Sequence, residues 1–63
     1  MVLVRVQAFR RIGPLVEFSG IIEGMGERVT GFRAGDAVHG VAPEVFADYV
    51  CVHSDSIRPA THQ

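Results

Sequence analysis

The chain has no lysine. All six cationic side chains are arginine, set against seven carboxylates for a net charge of −1. The arginines are scattered over Arg5, Arg10, Arg11, Arg28, Arg33 and Arg58, and only Arg10 and Arg11 adjoin. Nucleic-acid binding needs a clustered basic face that neutralises phosphates, so this balance excludes nucleic acid as an expected partner. A surface without lysine also differs from idealised designs, which are loaded with Lys and Glu, and fits a natural, arginine-preferring source. There is one cysteine, Cys51, so no intrachain disulfide can form. A lone cysteine reads as a small buried hydrophobe. No apolar run approaches the ~20 residues of a membrane span. The start lacks a charged segment leading into an apolar one, so no signal peptide is visible. The expectation is a cytoplasmic protein with no membrane partner.

Helical periodicity is also missing beyond about one turn, as are repeats and low-complexity tracts. What remains is a single domain of 63 residues with a hydrophobic content of 48%. A chain this short hides only ~60% of its unfolded surface. So much apolar side chain in so small a domain suggests surface shared with another domain or another copy.

Residues 2–9, VLVRVQAF, alternate strictly. Val2, Val4, Val6 and Ala8 fall on one face, and Leu3, Arg5, Gln7 and Phe9 on the other. Period two with β-branched residues predicts a strand with even positions inward. Residues 10–14, RRIGP, read as a connector, because Gly13-Pro14 is a strong breaker. Residues 15–23 read as the second strand. Gly20 inside it marks a bulge, a bend or a close backbone approach. Gly24 and Gly26 suit a turn, and residues 29–32 a short strand with Phe32 as a core plug. Gly35-Asp36 forms a corner, with Gly26 and Gly35 expected at positive φ and Asp36 capping backbone amides. Residues 37–41 and 45–53 complete the strands. The last carries apolar residues on both faces: Phe46, Val50 and Val52 on one, Ala47, Tyr49 and Cys51 on the other. Residues 54–56 read as a turn or 3-10 piece, Ile57 packs back, Arg58-Pro59 exits, and residues 61–63 fray. The domain is thus expected over residues 2–60.

The candidate chemistry is sparse. Gly24-x-Gly26 with Gly31 superficially resembles a phosphate loop. The dinucleotide fingerprint, however, needs its third glycine at the opening of a helix, and strand follows here. Cys51 and His53 share a strand face, but a structural zinc site wants four ligands, usually two close pairs. With His39 and His62 they do not make such a set, and His39 reads as a partly exposed strand residue. Ser19, Ser54 and Ser56 sit in no strained nucleophile turn. Asp36 and Asp48 show no pairing that marks an acid–base couple. The residues alone identify no catalytic, cofactor-binding or metal-binding set.

One pattern is more specific. Glu17, Gly20, Ile22, Gly26, Val29, Gly35, Asp36 and Val38 follow the form E-x-x-G-x-V-x-x-x-G-x-x-V-x-x-x-x-x-G-D-x-V, with isoleucine for the first valine. This resembles the N-terminal, GroES-like barrel of medium-chain dehydrogenases/reductases. Residues 2–9 resemble the strand before it in that family, residues 46–50 the following F-A-E-Y-V strand, and residues 54–59 its exit. Val16 stands where zinc-dependent members place a histidine, and the zinc cysteines have no counterpart. The resemblance therefore points to the zinc-free branch of quinone oxidoreductases and polyketide- or fatty-acid-synthase enoyl reductases. Two departures stand out. Residues 10–16 alone span a gap that is longer in the family, and the Rossmann domain that holds NADPH is not among these residues.

The expected fold is all-β: a small, partly open, GroES-like barrel of about five strands with short turns. The resemblance implies the substrate-side barrel of an NADPH-dependent, zinc-independent enoyl or quinone reductase, inactive alone, with no cofactor in this chain. Its implied partner is the missing Rossmann domain. The alternative is a stand-alone or engineered minimal barrel with a structural role, whose partner is another copy of itself in a homodimer.

Overall fold

The computed structural model of the chain describes residues 1–45 and 48–60. Five antiparallel strands form one sheet: β1 (Val2–Ile12), β2 (Leu15–Met25), β3 (Ala37–Ala42), β4 (Tyr49–Val52) and β5 (Ile57–Pro59). Their order is β4-β1-β2-β3-β5. Helical structure among the described residues is a single 3-10 turn, Ser54–Ser56. The all-β class is as expected, and the sheet is open, with β4 and β5 as its edges.

Those two edges are nevertheless joined by residues 53–56 alone. In a flat sheet they would stand about 19 Å apart, at four spacings of about 4.8 Å. Extended residues at ~3.4 Å and a 3-10 turn at ~2 Å per residue reach only about 14 Å. The sheet must therefore curl toward its inner face. That curl brings Val2, Val4, Phe18, Ile22, Val38, Ala42, Val50, Val52 and Ile57, drawn from all five strands, into one core cluster. No polar side chain is buried with them among the described residues.

The even positions of β1 point inward at its start, where Val2 and Val4 are fully buried. The register against β2 then slips between Val6 and Ala8. A bulge adds one residue to one strand and reverses which side chains face in. Beyond it Phe9 stands opposite buried Phe18, and Arg11 opposite buried Val16. Phe9 is thus on the inner side, not with Leu3 and Arg5, and Ala8 is exposed. A second slip, between Leu3 and Val4, leaves Glu23 as the extra residue of β2 and turns Met25 toward the core.

Several expected boundaries change: β2 runs past Glu23 to Met25, so Gly24 is strand and not turn, and β3 runs to Ala42. Arg10, Arg11 and Ile12 are strand, so the connector shrinks to Gly13-Pro14. Gly13 at φ +56° before a proline held near −65° matches the turn that closes tight hairpins. Residues 29–32 form no strand: Val29 N–H donates to the Gly26 carbonyl (3.2 Å), and the backbone of Ile22 pairs past the segment. Ile22 N–H donates to the Asp36 carbonyl (2.9 Å) and Gly35 N–H to the Ile22 carbonyl (2.8 Å). Val29 and Phe32 still pack on the core, half-buried. β4 is four residues long, with Val50 and Val52 inward and Tyr49 and Cys51 exposed, so it is apolar and covered on one face only. Arg58-Pro59 does not simply exit but belongs to β5, paired with β3; a proline fits an edge strand, where its missing donor is not needed. The assignments made for Phe46, Ala47 and residues 61–63 lie outside the described residues.

The corner glycines divide. Gly35 takes φ +95° as expected. Asp36 Oδ2 accepts from Arg33 N–H at 2.9 Å while Asp36 N–H donates to the Arg33 carbonyl at 3.0 Å. Gly26 does not share this role: positive φ belongs to Gly13, Gly31 and Gly35, and a Cβ at Gly26 would meet only Met1 backbone at 3.7 Å. Gly20 is the most constrained, since any Cβ there would collide with the Arg5 carbonyl oxygen and with Val4.

A 63-residue domain has about 3–9 kcal/mol of total stability. Gly20→Val is expected to abolish the fold, because the collision is with backbone that cannot yield. Gly35→Val should lower stability by about 1–3 kcal/mol through strained φ. Gly26→Ala should change it by less than about 1 kcal/mol. Far-UV circular dichroism and thermal melts of the three variants check this ranking; equal melting of Gly20→Val and the parent would refute the close approach.

Candidate functional site

Cross-strand partners share a face of the sheet, so the pairings fix which polar groups meet. On the outer face one row runs Ala8, Ser19, His39, Arg58 across β1, β2, β3 and β5. The next row runs Arg10, Glu17, Val41. Two shallow depressions lie over these rows. One, of about 320 Å³, is bounded by Ala8, Phe9, Arg10, Glu17, Phe18, Ser19 and His39. The other, of about 460 Å³, is bounded by Glu17, His39, Asp55, Ser56 and Arg58. Glu17 and His39 belong to both.

Electrostatics in this region are local and solvent-screened. Arg10 Nε donates to Glu17 Oε1 at 2.9 Å, with both side chains well exposed. Arg5 Nε donates to Glu23 Oε2 at the same distance. That hydrogen bond, and the charge of Glu23 behind it, raise the Arg5 guanidinium above its ordinary value. Exposed pairs of this kind contribute little to stability; they select cross-strand neighbours. Arg58 Nη1 donates to the carbonyls of Asp55 (3.1 Å) and Ile57 (3.0 Å). Its cation is thereby spent on holding the 3-10 turn to β5.

Ser19 and His39 are brought side by side, but no hydrogen bond joins them among the described residues, and no carboxylate orients the imidazole. Acyl transfer needs a nucleophile bonded to an oriented base, which this pair does not make. Cys51 and His53 both face outward. No group of three or more His, Cys, Asp or Glu able to hold a metal occurs among the described residues. No helix among them is long and apolar enough to cross a membrane. Gly24-x-Gly26 leads into a turn at Glu27-Arg28, with no helix behind it. A diphosphate cradle draws its donors from a helix N-terminus, so these residues do not fit the NADPH that the resemblance implies.

No family model, curated protein or solved structure matches the chain. The described surface offers two shallow, mixed depressions that share Glu17 and His39, and no assembled catalytic group.

Sequence reasoning missed the cross-strand pairing of Arg10 with Glu17. The signal was present: seven residues apart, they flank a two-residue Gly-Pro turn symmetrically. It also misplaced Cys51, which is exposed because the register against β1 sets it opposite outward-facing Leu3. The thiol is therefore expected to react with a soluble disulfide reagent in the folded protein, to one equivalent per chain and without denaturant. Labelling that requires unfolding would show a covered β4.

Proposed function

We propose that this chain is the substrate-side barrel of a zinc-independent, NADPH-dependent enoyl or quinone reductase of the medium-chain dehydrogenase/reductase type, silent by itself. The observation that carries this reading is where the motif residues fall. Gly20 lies where the Arg5 carbonyl leaves no room for a side chain. Gly35 takes φ +95°, and Asp36 closes the corner through Arg33. Ile22 and Val38 are core residues. Five of the eight members of the pattern thus meet a local structural requirement, which supports reading it as a fold signature.

In this reading the chain supplies shape, not chemistry. Its curled sheet would form one wall of a substrate cleft, and its depressions are too shallow to enclose a ligand. Drug-sized ligands bury most of their surface in binding pockets, so a complete cleft needs a second wall. NADPH, held by the partner domain, would supply the hydride. The residues described here contribute packing and exclude water from their side of the cleft.

The test has two arms. The isolated chain should show no saturable change in NADPH fluorescence. The same chain joined to the segment encoded downstream, which this reading expects to contain a strand–GxGxxG–helix unit, should bind NADPH saturably. Saturable binding by the 63 residues alone, or a reading frame with no such downstream unit, would overturn the proposal.

A further inference from the structure

We draw no further inference here: the strongest candidate, the exposed apolar side chains of Phe9, Ile12 and Leu15 at the turn end of the β1–β2 hairpin, carries nothing, because nothing in the structure shows what covers them.

Discussion

A single sheet has no second layer to cover its apolar face. Here the cover has to come from the sheet's own curvature, and the rest of the structure follows from that. The connection through residues 53–56 is too short for a flat sheet, so it ties the β4 edge toward the β5 edge. Ile57 is buried because the turn delivers it there. Gly20 permits the bend at the middle of β2, where β1 backbone presses closest. With any side chain at that point, β1 and β2 would have to separate, and the faces of Val4 and Ile22 would part with them.

Curvature also accounts for the two register slips. A long hairpin such as β1–β2 cannot stay in simple alternation while wrapping a small core. Each slip inserts one unpaired residue and changes which parity faces in. The slip at Gln7 has the larger consequence. It leaves Phe9 on the inner side, opposite buried Phe18 yet 62% exposed. The apolar content that seemed excessive for a small domain is thus partly located: Phe9, Ile12 and Leu15 are exposed at the turn end of the β1–β2 hairpin.

Sequence pattern revealed the class, the first strand, the corner at Gly35-Asp36 and the packing of Ile57, because each depends on local chemistry. Alternating valines report a half-buried strand wherever they occur, and a Gly-Asp corner reports its own backbone. What stayed hidden depends on pairing. Arg10-Arg11-Ile12 looks like a connector until the turn beside it is seen to need only two residues. Residues 29–32 have strand composition but no strand to pair with, since Ile22 spends its backbone bonds on Gly35 and Asp36. Phe9 cannot be assigned a face without knowing that a bulge precedes it. The exposure of Cys51 follows from its register against Leu3, which sequence alone does not contain.

The same division governs function. Most of the residues that carry the resemblance shape the backbone or fill the core: Gly20 and Gly35, the capping Asp36, and the aliphatics Ile22 and Val38. Such residues speak to fold far more than to chemistry, because functional groups are grafted onto a scaffold and vary independently of it. His39, Ser19 and Arg58 are chemically capable, yet none is oriented for transfer of a proton or group, and Arg58 is engaged by backbone carbonyls. What the scaffold presents outward is two shallow depressions around Glu17 and His39 and the exposed side chains of Phe9, Ile12 and Leu15, and none of these is an assembled site.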